Sequence, residues 1–160
     1  MILKNQVEWA LHCCAVLAAL PPETYLSTKA LSEFHDVPKE YLSKALQSLS
    51  QAGLVEGTLG PKGGYRMAKP NQDITFLDIV EAVEGKKSTF KCSEIRANNP
   101  CLDKKPDLTK PCSIARVMWD ADEAWREKLR SVTLEDLQAM VVKEVPADQL
   151  EKSAEWLLSY

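Results

Sequence analysis

Cysteine and histidine are the residues of this chain that point most directly to metal or redox chemistry. The sequence has five cysteines and two histidines. Three of the cysteines lie in residues 90–112, called here the cysteine loop, which has no run of apolar residues. Proline removes a backbone donor and pushes the preceding residue out of the helical region, so this segment is predicted to form neither a helix nor a central strand. A loop of this length is usually functional or disordered, and three cysteines favour a function. The cysteines are Cys92, Cys101 and Cys112, and the breaks are Asn99-Pro100, Lys105-Pro106 and Lys110-Pro111.

The cysteines are open to several kinds of chemistry. An odd number of cysteines in a reducing compartment favours metal binding or redox chemistry over structural disulfides. Thiolates are the usual ligands of iron–sulfur clusters. Zinc is less well supported, because the loop lacks the close Cys-x-x-Cys spacing of structural zinc sites. A thiol–disulfide switch needs only an exposed pair of low pKa. Cys13 and Cys14 lie in an apolar run and are predicted to be packed core thiols.

Glu8 and His12 form a second pair with ligand chemistry. They are four residues apart on a predicted helix, so their side chains share one face, with about 5–6 Å between the Cβ atoms. Together they could offer one oxygen and one nitrogen to a single metal ion. A Glu–His pair at this spacing is most often a surface or capping pair, so the residues alone leave both interpretations open. Trp9, beside Glu8, is predicted to pack against neighbours and is also a candidate for gating such a site.

The composition is that of an ordinary globular protein. The 160 residues suffice for one domain with a smaller appendage, and 45% are hydrophobic and 27% charged. The net charge of -3 means that any contact with nucleic acid must come from a local basic patch. Residues 1–22 lack a signal-peptide cleavage site, and their apolar run is too short to span a bilayer. We therefore expect a cytoplasmic protein without a membrane partner. Without a nucleophile motif or phosphate loop, an enzyme is not expected, and an electron-transfer protein is the alternative of that class.

Local signals predict a helix-turn-helix near the N-terminus. Apolar residues at helical spacing indicate a first helix over residues 5–20. Ser27-Thr28 caps a short helix that runs through Phe34. After a four-residue turn, a third helix follows over residues 39–52, and two helices joined by a tight turn are typical of DNA-binding proteins. The buried side of the third helix is predicted to comprise Tyr41, Leu42, Ala45, Leu46 and Leu49.

A predicted β-hairpin follows this third helix directly, which makes a winged helix. Its strands are residues 54–58 and 65–68, with a glycine-rich turn between them. Residues 39–69 hold five basic side chains against two acidic ones, an excess of positive charge where phosphates would lie. A dimer of such modules would read a pseudo-palindromic site in double-stranded DNA. The candidate DNA-binding residues are Thr28, Lys39, Tyr41, Ser43, Lys44, Gln47, Lys62, Gly63, Gly64 and Tyr65; the basic residues counted are Lys39, Lys44, Lys62, Arg66 and Lys69.

The C-terminal half is predicted to be helical and to form a homodimer. A long helix starts at Ser113, and its apolar residues recur at i, i+3 and i+4 for over four turns. A domain of this size offers this face no partner, whereas a second copy of the helix would bury it. The predicted fold is mainly α with a two-stranded β wing: a winged helix-turn-helix over residues 1–85, a cluster-binding loop over 86–112, and a dimerisation helix with C-terminal helices over 113–160.

Over nearly its whole length the chain resembles the Rrf2 family of winged-helix regulators. The resemblance lies in VPKEYLSKALQSLSQAGLVEGTLGPKGGYRMAKP (residues 37–70), ITFLDIVEAVEG (74–85), the cysteine loop, and TLEDL (133–137). The family's common pattern has three cysteines at short, nearly equal gaps, whereas here the gaps are eight and ten residues. The stretches VEWALHCC, CSEIR and CSIARVM are most similar to the RsrR-like branch, which senses redox state. Where the family wing often carries an arginine, this chain has Leu59.

This resemblance implies a ligand set. In the RsrR-like branch a [2Fe–2S] cluster is held by two loop cysteines and by a carboxylate and an imidazole of the first helix. These positions fall on Cys92, Cys112, Glu8 and His12, and Cys101 has no counterpart. The resemblance favours a [2Fe–2S] over a [4Fe–4S] cluster and implies a redox-sensing, DNA-binding regulator, expected to act as a repressor. The alternative is a cluster-free regulator of the same fold that senses through thiols or a small molecule.

Overall fold

The computed structural model describes residues 2–104 and 107–160, so the predicted break at Lys105-Pro106 lies outside the described residues. Within them the fold is mainly helical with one two-stranded antiparallel sheet, which confirms the predicted fold class. The elements in chain order are α1 Asn5–Ala19, α2 Thr28–His35, α3 Lys39–Gln51, β1 Val55–Thr58, β2 Gly64–Met67, α4 Phe76–Glu84, α5 Ser113–Arg130, α6 Leu134–Glu144 and α7 Ala147–Leu158; short 3-10 helices span Asn71–Asp73 and Ile95–Asn98.

The hydrophobic core is built around one face of α1. That face presents Val7, Ala10, Cys13, Cys14 and Leu17, all buried. It packs against α3, α4 and α6, so elements distant in sequence share a single core. Cys13 and Cys14 are fully buried, which confirms them as core thiols. Burial raises the pKa of the Cys13 thiol to about 12, and both thiols stay protonated near neutral pH.

The helix-turn-helix comprises α2, a turn and α3. Ser27 caps α2, because its side chain accepts a hydrogen bond from the Ala30 backbone N–H. Asp36 ends α2 in the left-handed conformation, with φ of 50°, and α3 begins at Lys39 after a short turn. The predicted buried side of α3 is correct except at Tyr41, whose side chain is 54% exposed. The reason is its position around the axis of α3, where Tyr41 lies beside the stripe of buried apolar residues rather than within it.

The wing is attached to the segment that precedes α2. Strands β1 and β2 pair antiparallel, with Val55 opposite Met67 and Thr58 opposite Gly64. Tyr65 also forms a bridge with Leu26, in which each backbone N–H donates to the other residue's carbonyl, at 2.8 and 3.0 Å. The segment just before α2 therefore adds a third strand of one residue to the hairpin.

One basic residue of the wing is not free for DNA. Arg66 donates from Nε to Glu56 and from Nη1 to Glu23, each at 2.5 Å, and its guanidinium lies over the Tyr25 ring. Its hydrogen bond also holds the pKa of the Glu56 carboxyl below its ordinary value. Arg66, which was counted with the positive charge of residues 39–69, is thus paired with two carboxylates, one of them 43 residues earlier in the chain.

Two matching helix starts join the N-terminal module to the C-terminal helices. Thr75 before α4 and Thr133 before α6 each form a capping box, with Asp78 and Asp136 respectively. The two threonines also pair as an isolated antiparallel bridge. Leu134, directly after the second box, is fully buried in the core around α1. The helices after the cysteine loop therefore complete the core of the first module.

Helix α5 leaves most of its apolar side chains exposed. Among its 18 residues Ala115 is the buried one, whereas Ile114 is 70% and Val117 66% exposed. Met118 and Trp119 extend this surface along the helix. Contiguous exposed apolar area on a long helix is typical of an interaction surface.

The cysteine loop departs from its prediction at one place. Residues Ile95–Asn98 form a 3-10 helix, preceded by Glu94 in the left-handed conformation with φ of 55°. This four-residue turn lies before Pro100, the first proline of the loop, and so escapes the restriction that excludes a longer helix. Among residues 2–104 and 107–160, no helix is both long and apolar enough to cross a membrane.

Gly64 is predicted to be irreplaceable for the stability of the wing. A Cβ atom at Gly64 would lie 2.2 Å from the Leu26 carbonyl oxygen, a backbone atom that cannot move aside. Gly60 is a matched control, because a Cβ there meets nothing within 4 Å and only its positive φ opposes substitution. We expect Gly60→Ala to lower the free energy of unfolding by about 1–2 kcal/mol, and Gly64→Ala to lower it by roughly twice that or more. Urea denaturation followed by circular dichroism measures both, and equal losses would contradict the assignment.

Candidate sensor site and nucleic-acid surface

The structure brings two of the three loop cysteines together. The Sγ atoms of Cys92 and Cys112 are 3.8 Å apart, although 20 residues separate them. Cys112 is the N-cap of α5, and its sulfur accepts a hydrogen bond from the Ala115 N–H at 3.3 Å. A tetrahedral metal with metal–sulfur bonds of about 2.3 Å holds two thiolates about 3.8 Å apart. The donor set and its spacing therefore fit a shared metal, whereas Cys101 is exposed elsewhere on the loop.

The Cys92 thiol has a shifted pKa with opposing causes. A backbone hydrogen bond at Glu94 lowers the pKa, whereas desolvation, the hydrogen bond with Cys112 and the charges of Cys112 and Glu94 raise it. The net pKa lies above that of an ordinary thiol. Without a bound cation the Cys92 thiol is therefore mainly protonated, and a metal that takes this sulfur must displace a proton.

A chain of polar contacts closes the loop around this pair. Glu94 Oε1 lies 3.7 Å from the Cys92 sulfur, and Glu94 Oε2 accepts from Arg96 Nε at 2.6 Å. Arg96 Nη2 donates to the carbonyls of Lys110 and Asp107, at 2.5 and 3.3 Å. The sequence analysis missed these two residues, and the only signal for them is the Glu-x-Arg spacing directly after Cys92.

Glu8 and His12 lie at a different place, on the exposed side of α1. Both side chains line a groove of about 480 Å³ whose other walls are largely apolar and come from α1, α4 and α6. Phe76 and Leu137 contribute to those walls. The predicted geometry of the pair, one face of one helix, is therefore what the structure has.

The described residues of one chain do not gather all four predicted ligands. No group of three or more His, Cys, Asp or Glu side chains among residues 2–104 and 107–160 could hold a metal ion. The thiol pair and the Glu8–His12 pair therefore lie apart within the described part of one chain.

His35 is a residue near His12 that the sequence analysis missed. The two imidazole rings have centroids 5.7 Å apart, and His35 also meets the Phe34 ring edge-on at 5.0 Å. Burial, with a further contribution from His12, lowers the pKa of His35. Its Nε2 atom is buried and finds no hydrogen-bond partner among the residues that the structure describes. His35 ends α2, so it links the exposed side of α1 to the turn of the helix-turn-helix.

Trp9 makes a second link between α1 and the helix-turn-helix. It is half-buried, and its ring centroid lies 6.4 Å from that of Tyr41 on α3. The Lys44 ammonium lies 5.8 Å from the same Tyr41 ring. A movement of Trp9 would therefore reach two of the candidate DNA-binding side chains.

The candidate DNA-binding residues divide into an exposed and a partly buried set. The Ser43 hydroxyl donates to the Lys39 carbonyl at 2.8 Å within α3, and Tyr65 packs against the core. Leu59 at the wing tip is 99% exposed. Exposed are Lys39, Tyr41, Lys44, Gln47 and Lys62; partly buried are Thr28, Ser43, Gly63, Gly64 and Tyr65.

Comparison with known proteins gives these features a family context. A family model described as "Rrf2: Iron-dependent Transcriptional regulator" matches residues 3–140. The protein rrf2 of Nitratidesulfovibrio vulgaris is 32% identical over 86% of this chain and 87% of its own. The transcriptional regulator NsrR of Geobacillus kaustophilus is 30% identical over 86% of this chain and 89% of its own. The solved structure of CymR, the global cysteine regulator of B. subtilis, superposes with a TM-score of 0.67 at 27% identity, covering 88% of this chain and 98% of that one.

Proposed function

Because the chain belongs to the Rrf2 family of helix-turn-helix transcriptional regulators, we propose that it is a cytoplasmic, homodimeric, redox-sensing regulator that depends on an iron–sulfur cluster. Its DNA-binding module is the winged helix of α1 to β2. The proposed ligands are Cys92 and Cys112 from one subunit and Glu8 and His12 from the other. The preferred cluster is [2Fe–2S], with [4Fe–4S] as the other form.

The 3.8 Å separation of the Cys92 and Cys112 sulfurs is the observation that carries this proposal. Two thiols at the spacing of thiolates on one tetrahedral metal ion support a shared metal. The family description "Iron-dependent" supports iron as that metal. The open groove beside Glu8 and His12 supports a second pair of ligands, available to a partner subunit.

The mixed ligand set bears on the redox behaviour. A bound cluster would supply one-electron redox chemistry, and an imidazole in place of a thiolate removes negative charge, which raises the reduction potential. A carboxylate is a harder ligand than sulfur and binds such iron more weakly. Glu8 and His12 would therefore bind the cluster more weakly than the two cysteines do.

The exposed apolar face of α5 supports the homodimer. Ile114, Val117 and Met118 expose area that a second α5 would bury. The cysteine loop ends where α5 begins, at Cys112, so this dimer would bring the thiols of one subunit close to the other subunit. Trp9 and His35 then connect α1 to the DNA-reading helices. A coupling of a few kcal/mol between site and helices is enough to switch operator occupancy.

A cluster-free thiol switch is the second candidate, and the same sulfur pair favours it. Two thiols in van der Waals contact need only a small approach to form a disulfide. The structural likeness to CymR, the global cysteine regulator of B. subtilis, also supports this candidate. In this reading DNA affinity depends on reductant in a colourless protein and loses that dependence in Cys92→Ser.

Anaerobic purification followed by a visible spectrum and iron analysis tests the cluster. We expect a coloured protein whose iron falls strongly in Cys92→Ser, Cys112→Ser and His12→Ala, because each removes a ligand. Cys101→Ser is the matched control and should keep its iron, since this thiol is exposed and apart from the pair. A colourless, iron-free protein after reconstitution would overturn the cluster. Full iron in His12→Ala would overturn only that ligand.

Mixed dimers test whether the ligands come from two subunits. His12→Ala and Cys112→Ser each destroy both sites of a symmetric dimer. In a heterodimer of the two variants one site carries both defects and the other carries none. Random exchange of equal amounts should therefore restore about a quarter of the wild-type iron if the site is shared. No recovery, with heterodimers verified by native mass spectrometry, would place all four ligands in one subunit.

Salt dependence of DNA binding tests the basic surface. Lys44 on α3 and Lys62 on the wing are exposed and suitably placed for phosphates. Each replacement by glutamine should lower affinity and reduce the magnitude of the slope of log K against log salt by about two for the dimer, one contact for each subunit. Lys128→Gln, on α5 outside the winged helix, is the control and should leave the slope unchanged. Equal slopes in all three variants would contradict this surface.

A further inference from the structure

The three cysteines of the cysteine loop could form more than one pair, and the length of the loop disfavours the pair that is observed. Cys101 lies nearly midway between Cys92 and Cys112 in the sequence. In a flexible chain the probability of contact falls with the 3/2 power of separation, so Cys92 would meet Cys101 about three times as often as Cys112. The structure has the opposite pairing, with Cys92 against Cys112. Something in the loop must therefore overcome the chain statistics.

The contacts of Arg96 provide that constraint. Its Nε atom donates to Glu94, two residues after Cys92, and its Nη2 atom donates to the carbonyls of Asp107 and Lys110, five and two residues before Cys112. The side chain thus joins the two ends of the loop at the positions next to the two thiols. The Asp107 carboxylate in turn accepts a hydrogen bond from the Thr109 N–H at 2.9 Å. This bond stabilises the turn whose carbonyl groups accept hydrogen bonds from Arg96.

The chemistry of the side chain suits this role. Arginine presents several N–H donors in a rigid planar fork, so it can hold a carboxylate and two carbonyls at once. Lysine offers a point charge without that fork. Glu94 completes the arrangement, because its left-handed backbone turns the chain there and its two oxygens contact the Cys92 sulfur and Arg96.

We propose that Arg96, acting through Glu94, is the positioning residue that selects Cys92 and Cys112 as the working thiol pair and excludes Cys101. The inference deepens the proposed function, because it concerns the thiols that would hold the cluster or form the switch. It does not depend on which of the two operates, since it concerns the geometry of the loop before any metal binds.

Disulfide mapping of the full-length, metal-free protein tests the positioning. With glutathione disulfide as oxidant, two protein thiols lose two electrons and two protons, and one glutathione disulfide becomes two glutathione thiols. Peptide mass spectrometry then gives the ratio of the Cys92–Cys112 to the Cys92–Cys101 bond. We expect the first bond to predominate in the wild type. In Arg96→Gln we expect the ratio to fall towards the value of about one to three for a flexible chain without reaching it, because Arg126 still anchors the base of the loop.

Matched variants separate positioning from general damage. Arg116→Gln is the control, because that guanidinium lies near the same end of the loop and donates to the Ser113 hydroxyl. Arg96→Lys, which keeps the charge and lacks the fork, should restore the ratio only partly. Thermal unfolding by circular dichroism should be alike in all variants, since the loop lies outside the core.

Two outcomes would overturn the inference. One is an unchanged bond ratio in Arg96→Gln, and the other is an equal change in Arg116→Gln. Iron content is measured separately on the same proteins. A wild type without iron but with selective Cys92–Cys112 pairing would end the cluster proposal and leave the positioning role intact. A coloured wild type with no change of bond ratio in Arg96→Gln would do the reverse.

Discussion

Burial of one face of α1 is the interaction on which the rest of the fold depends. Val7, Cys14 and Leu17 fill the space between α3, α4 and α6, and transfer of such side chains from water is worth about 1.5–3 kcal/mol each. The same packing fixes the rotation of α1, and hence the direction of its opposite side. Glu8 and His12 are presented to solvent because Val7, Ala10 and Cys13 face the core. Burial of the inner face of α1 thus determines which side chains lie on its outer face.

That constraint also explains why the sensor features are distributed over the molecule. The cysteine loop is polar and rich in proline, so it cannot join the core and runs between α4 and α5. Its base is anchored where Arg126 of α5 pairs with Glu81 of α4 at 2.6 Å and donates to the Lys87 carbonyl. The thiols are held on α5, the Glu8–His12 pair on α1, and the aromatic and histidine contacts of α1 lead to the helix-turn-helix. Each step depends on a different physical interaction.

Local sequence signals predicted most of the elements because their causes are local. Capping residues, prolines and helical spacing act within a few positions, and they predicted the first three helices and both strands to within a residue or two, together with the start of α5 at Ser113. What failed depended on partners far away or on fine geometry. Arg66 is neutralised by Glu23, 43 residues earlier. Tyr41 is exposed because of a rotation around α3 that spacing alone does not resolve. For the site, spacing suggested the Glu8–His12 face, and the resemblance to a family separated Cys101 from the other two thiols. The contacts of His35 and Arg96 could not be predicted, because they depend on partners elsewhere in the chain.

The close approach of Gly64 to Leu26 has a consequence for how DNA affinity can change. The wing and the segment leading into α2 share backbone hydrogen bonds, without room for a single methyl group between them. A shift of the hairpin relative to α2 would break those bonds, so the hairpin and α2 move as one unit. In the proposed dimer, a signal that reaches α2 would therefore act on a rigid block and change its tilt and distance relative to a second such block on the same duplex. Selectivity for base sequence would then be a fixed property of each block, whereas the spacing between the two blocks would be adjustable.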